Sequence, residues 1–196
     1  MIKRKIATVH TPPAQPGFLG PDHTARAIIQ TGFPQSDPFI LLMDDVLDKK
    51  DNTPVGGPHP HAGFETVSLL LEGEIGDEEH TMKAGDLQIM TAGSGIVHTE
   101  TIDKEAKMQL LQLWITLPKK HRWAEPRVQN LSFAQVPKKR ENGAEIRVYS
   151  GSFAGLNSPI QNYTPFIIAD IYLEPGANVT EQLPANYNTF LYVIKG

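Results

Sequence analysis

The chain has 196 residues, 40% of them hydrophobic, enough for one large or two small packed domains. Its 18 Lys+Arg against 22 Asp+Glu give a formal net charge of -4, which excludes a face-wide basic surface for a nucleic-acid backbone. Zero cysteines exclude disulfides, thiolate metal sites and a cysteine nucleophile, so any metal must rest on His, Asp and Glu. The start "MIKRKIATVH" carries no signal-peptide stretch, and no window approaches the roughly 18 apolar residues of a membrane span. The expectation is a cytoplasmic protein with no membrane partner and no direct nucleic-acid binding.

In chain order, "PFILLMDDV" (38–46), "FETVSLLLEG" (64–73), "DLQIMTAG" (86–93), "GIVHTE" (95–100) and "MQLLQLWITL" (108–117) read as strands. Turn sequences such as "KAGD" and "AGSG" separate them, and no capped amphipathic helix interrupts the series. The fold class expected is all-β, a sandwich or barrel. "MQLLQLWITL" is apolar on both faces, Leu111, Leu113, Ile115 and Leu117 on one and Met108, Leu110 and Trp114 on the other. A second layer should therefore pack against it.

"GGPHPHAGFETVSLLLEG" (56–73) sets His59 and His61 two apart at the head of a strand. Side chains two apart on a strand share a face, and Glu65 has the same parity if nothing interrupts the extended chain. "GIVHTE" repeats the device with His98 and Glu100. Alone, a His-x-His beside prolines and glycines is more often a loop feature than a ligand pair. The second pair changes the balance, because ionisable groups on an otherwise buried strand need a partner or a metal. Two such pairs facing each other inside a small barrel would offer three imidazoles and a carboxylate to one divalent transition metal.

At these residues the chain resembles the pirin family of bicupins. "DPFILLMDD", "GGPHPHAGFETVSLLLEG", "GDLQIMTAGSGIVHTE", "LQLWITLP" and "EPRVQNL" carry the resemblance, in that order, and it covers nearly the whole chain. It implies a cupin-type double-stranded β-helix barrel, jelly-roll-like, with a second barrel stacked on the first. It also implies one divalent metal per chain, Fe(II) foremost with Mn, Ni, Co, Cu or Zn as alternatives, held by His59, His61, His98 and Glu100. Glu65 stands where many other cupins place their carboxylate ligand, and here is expected to lie just behind the ligands.

Some positions depart from the family pattern. Ala62 replaces the usual arginine after the second histidine, and Ile89 replaces the usual tryptophan. The acidic connection "EGEIGDEEHTMKAGD" looks short and contains His80, whose spacing matches neither pair. His80, His10, His23 and His121 are read as solvated loop histidines, and "PKKHR" and "PKKRE" as solvated charged faces.

A loose repeat aligns "ETVSLLLEG" (65–73) with "NTFLYVIKG" (188–196). It sets Gln182, Pro184 and Asn188 where ligands would be, so a second copy would hold no metal. The expected division is a metal-binding domain over 1–140 and a partial cupin-like domain over 146–196. "FIIADIYLEPG" (166–176) and "TFLYVIKG" (189–196) would be strands of half a barrel with exposed edges. Either the chain is a fragment of a longer one, or the amino-terminal segment and a second protomer or other protein partner cover that half.

Two functions follow from the resemblance. One is a flavonol (quercetin 2,3-) dioxygenase taking a small aromatic substrate and dioxygen, with Glu100 as general base. The other is a metal-dependent regulatory or redox-sensing protein read by a partner. Small residues beside the histidines leave room for a ligand to approach and favour the enzyme.

Overall fold

Proline-free runs dense in Leu, Ile, Val and Trp become the long central strands, because such residues fit a pleated surface buried on both faces. A computed structural model describes residues 3–30, 32–76 and 81–196, with one short helix, α1 (Phe33–Ser36). The strands are β1 (Gln15–Pro16), β2 (His23–Ile29), β3 (Phe39–Lys49), β4 (Pro58–His61), β5 (Phe64–Gly76), β6 (Thr81–Lys83), β7 (Leu87–Thr91), β8 (Ile96–Thr99), β9 (Ala106–Thr116) and β10 (Arg127–Leu131). They continue as β11 (Lys138–Glu141), β12 (Ala144–Ser150), β13 (Ser152–Phe153), β14 (Leu156–Asn157) and β15 (Ile168–Leu173). The molecule is predominantly β, in a cupin-like arrangement of sheets.

The main sheet runs β1-β2-β3-β9-β5-β7-β10, with β6 on β5, and its strand pairs are antiparallel. A three-stranded sheet runs β11-β12-β15, and β4 pairs with β8 in a separate ribbon. Strand β9 is apolar on both faces, as its sequence indicates. Its Leu113 and Ile115 join Val67, Leu69, Leu87 and Ile89 in a core shared with Tyr149 of β12 and Phe166. Met108 and Leu110, on the other face, join Leu47, Leu70 and Met82. Each fully buried Leu or Ile contributes roughly 1.5–3 kcal/mol. The sheet is thus clamped between two apolar layers, a rigid base for whatever its inner face carries.

Two expectations need correction. Residues 189–196, expected as a strand, form none. An apolar run becomes a strand only where its backbone meets a ladder, and these residues dock through side chains. Phe190 meets Phe39 edge to face at 5.6 Å, the Tyr192 hydroxyl donates to Asp44 Oδ2 at 2.6 Å, and Asn188 Nδ2 donates to the Asp37 carbonyl at 2.6 Å. From the amino-terminal segment, Arg4 donates to the Tyr187 carbonyl at 2.7 Å and to Thr189 Oγ1 at 3.1 Å, so the two ends of the described chain tie together.

The second correction concerns His23. It is no solvated loop residue but 0% exposed at the start of β2. Its Nε2 donates to Asp45 Oδ1 at 3.0 Å while Nδ1 accepts the Leu19 N–H at 3.1 Å. Both ring nitrogens are satisfied, which is what burial demands. His23 is a structural pin between the β1–β2 turn and β3.

Candidate metal centre

The β4–β8 ribbon builds the site. Its register pairs His59 with His98 and His61 with Ile96, so period-two alternation puts His59, His61 and His98 on one side while Pro60 and Val97 take the other. Beyond the ribbon a bridge between Val55 and Ile102 keeps the two segments together, and Gly56 packs against the Glu100 backbone. A Cβ at Gly56 would stand 2.3 Å from the Glu100 carbonyl oxygen, and the residue's φ is +79°, so only glycine fits.

The three imidazoles converge. His98 Nε2 lies 2.9 Å from His59 Nε2 and 3.0 Å from His61 Nε2. His59 Nδ1 donates to the Gly57 carbonyl at 2.9 Å, which fixes the tautomer and leaves the Nε2 lone pair pointing into the cluster. Burial and the neighbouring imidazoles push His61 below the ordinary imidazole value, and burial together with His59 does the same for His98. A lowered value favours the neutral ring, the state a metal ligand needs. Nitrogen lone pairs this close repel unless a cation or a shared proton lies between them. With metal–nitrogen bonds of about 2.0–2.1 Å, two ligands at right angles would stand about 3.0 Å apart, the spacing seen here. The residues therefore suit a divalent metal.

Glu100 lies at the edge of this cluster, its Oε2 3.9 Å from His59 Nε2, and its Oε1 accepts a hydrogen bond from Gln112 Nε2 of β9 at 3.3 Å. The His59 and Glu100 side chains are 35% and 31% exposed, so the cluster opens to solvent on their side. Phe64 and Trp114 wall the other side, their ring centroids 5.1 Å and 5.3 Å from that of His61. Sequence reasoning missed Gln112 and this aromatic wall, because both depend on contacts between strands distant in sequence.

Glu65 is not behind the ligands. Ala62 and Gly63 separate β4 from β5, Gly63 has φ +81°, and the extended parity that would align Glu65 with His59 is broken there. On β5 it is Phe64 that meets His61, while Glu65 shares the face of Val67 and Leu69 towards the core between the sheets. Glu65 is 0% exposed, its Oε1 accepts from the Thr91 hydroxyl at 2.7 Å, and its Oε2 has no partner among the described residues. Burial raises its pKa, opposed by the Thr91 hydrogen bond and by Arg127.

The other histidines stand apart from the centre. His10 is exposed, His121 is half-buried with its ring 4.7 Å from Tyr163, and His80 lies outside the described residues. Lys119, Lys120 and Arg122 of "PKKHR" are exposed, as expected of a solvated run. Among the described residues no helix is long and apolar enough to cross a membrane.

Known proteins place this architecture. The family model described as Pirin matches residues 22–115. Human pirin is 40% identical over 178 residues, covering 87% of this chain and 60% of that protein. The crystal structure of GK1651 from Geobacillus kaustophilus is 33% identical and superposes with a TM-score of 0.77, covering 92% of this chain and 72% of that one. A quercetin 2,3-dioxygenase from Acinetobacter baumannii is 25% identical with a TM-score of 0.67, covering 82% of this chain and 56% of that one. The chain spans 54% to 60% of the length of the first curated relatives it matches. With the His-Pro-His and His-x-Glu segments on one ribbon and that likeness extending along the chain, it belongs to the pirin family of the cupin superfamily.

Proposed function

We propose that this protein is a metal-dependent dioxygenase acting on a flavonol such as quercetin. One observation carries the reading: the Nε2 atoms of His59 and His61 both lie within 3.0 Å of His98 Nε2, with a single carboxylate beside them and solvent access on the carboxylate's side. The likeness to a quercetin 2,3-dioxygenase supports it. In this reading His59, His61, His98 and Glu100 hold one divalent metal, Fe(II) foremost, in the amino-terminal cupin unit, and the carboxy-terminal region is a cupin-like unit without a metal of its own. A divalent metal held by these residues would supply Lewis-acid chemistry toward an enolic oxygen of the substrate.

The chain's own residues do the rest. Glu100 accepts the substrate's hydroxyl proton as general base, from a side chain that reaches solvent on one side and the histidines on the other. Phe64 and Trp114 exclude water behind His61 and keep its ring oriented. Oxygen uptake with quercetin by the Fe(II)-loaded protein tests the proposal. Uptake that is lost in the Glu100→Ala protein supports it. No uptake with any reconstituted divalent metal would reject it in favour of a regulatory role for the same centre.

A further inference from the structure

Glu100 lies one residue beyond the end of β8, on a short ribbon, whereas Gln112 sits mid-strand on β9 with β3 and β5 hydrogen-bonded on either side. Gln112 opposes Met43 on one neighbour and Ser68 on the other, so its backbone is fixed from both directions. It shares with Trp114 the face of β9 that looks onto the histidines. Among the described residues, its amide supplies the one hydrogen bond that the Glu100 carboxylate accepts. The bond goes to Oε1 and leaves Oε2 as the oxygen 3.9 Å from His59 Nε2.

We infer that Gln112 is the positioning residue for the Glu100 carboxylate, an uncharged donor on the rigid sheet that turns the other oxygen toward the three histidines. The inference rests on the reading above in which Glu100 is the fourth ligand. The chemistry suits the task. A carboxylate on a strand end has two free torsions beyond Cβ, and an amide bonded to one oxygen removes that freedom without competing for the cation, as a lysine's charge would. Partners of this kind orient ligating groups, and their loss typically weakens metal binding by about 10- to 100-fold.

The test is a Co(II) titration of the metal-free protein, followed through the visible ligand-field spectrum. It compares the parent, Gln112→Met, Gln112→Asn, Glu100→Ala and the Glu100→Ala/Gln112→Met double variant. Methionine keeps the length of the side chain without the donor, and asparagine keeps the donor one methylene short. Using both guards against a folding failure of either, and melting of each metal-free protein reports its fold. The expected result is affinity about 10- to 100-fold weaker in both single Gln112 variants, with spectra moved toward that of the Glu100→Ala protein. In the Glu100→Ala background Gln112→Met should change affinity by less than about twofold, because the interaction is already gone. Parent-like affinity and spectrum in the Gln112 variants, with Glu100→Ala weakened, would overturn this inference alone, and so would equal losses with and without Glu100. Parent-like binding by the Glu100→Ala protein would overturn the ligand reading and the inference together.

Discussion

His59 stands directly opposite His98 across the β4–β8 ribbon, and their Nε2 atoms lie 2.9 Å apart. This register makes the cluster. A slip of one residue would turn one histidine to the outer side, since neighbours on a strand alternate faces. The same register pairs Pro60 with Val97 on the outer side. In a chain without cysteine, a Pro60→Cys/Val97→Cys variant should form a cross-strand disulfide on mild oxidation, and Pro60→Cys/Gly95→Cys should not. Intact mass before and after reduction distinguishes them. Efficient closure of the second pair, with none of the first, would mean that the ribbon is paired differently.

His23 should prove structural. Replacing it with Ala leaves the Asp45 carboxylate and the Leu19 N–H without their partner, at a cost of about 1–3 kcal/mol for each orphaned group. Urea denaturation of His23→Ala should show a markedly lower midpoint, while the folded fraction keeps the parent's metal affinity. A midpoint unchanged from the parent would show that the buried pair contributes nothing.

Glu65 predicts a pH signature. Its folded pKa is raised by burial above the ordinary carboxyl value of 4.5, so the folded chain holds that proton more tightly than the unfolded one. Its contribution to stability is therefore fully present below about pH 4.5 and is lost as the pH rises through the raised value. Glutamine has the same shape and no proton to lose, so Glu65→Gln should be more stable than the parent near pH 7, with the difference shrinking on acidification. Melting temperatures across the acid range check this, and a variant equally destabilised at every pH would contradict it. Metal affinity should be unchanged, because Glu65 faces the core between the sheets.

Tyr192 latches the carboxy-terminal segment to β3. Its hydroxyl donates to Asp44, a residue 1% exposed that also accepts from Gln109 Nε2 at 2.8 Å, and burial with that hydrogen bond pushes the phenol up to about 12. Tyr192→Phe should cost about 1 kcal/mol in global stability and speed amide exchange in residues 188–194. Exchange rates equal to the parent's would show that the latch is held by other contacts, such as Phe190 on Phe39.

The parts of the site that obey local periodicity were legible in the sequence. His59 with His61 follows from alternation on β4, and the double-faced burial of β9 follows from its composition. What was not legible depends on contacts distant in sequence or on a single backbone angle. Glu65 was misassigned because Gly63, at φ +81°, interrupts the parity between β4 and β5. His23 looked like a loop residue between "FLGPD" and a threonine, and its partner Asp45 lies 22 residues away. Residues 189–196 have the composition of a strand, yet composition does not say whether a ladder is available. Gln112 was invisible as a site residue because its meaning lies in reaching Glu100 from another sheet.

The central claim, that these histidines form one metal site, is tested most directly by isothermal titration of the metal-free protein with Co(II), beside a His98→Ala variant. His98 is the nitrogen common to both short contacts, at 2.9 Å and 3.0 Å. The account predicts one tight site per chain in the parent and loss of that site in His98→Ala, with the metal-free melting temperature little changed. A His98→Ala protein that binds Co(II) with the parent's affinity and stoichiometry would contradict it.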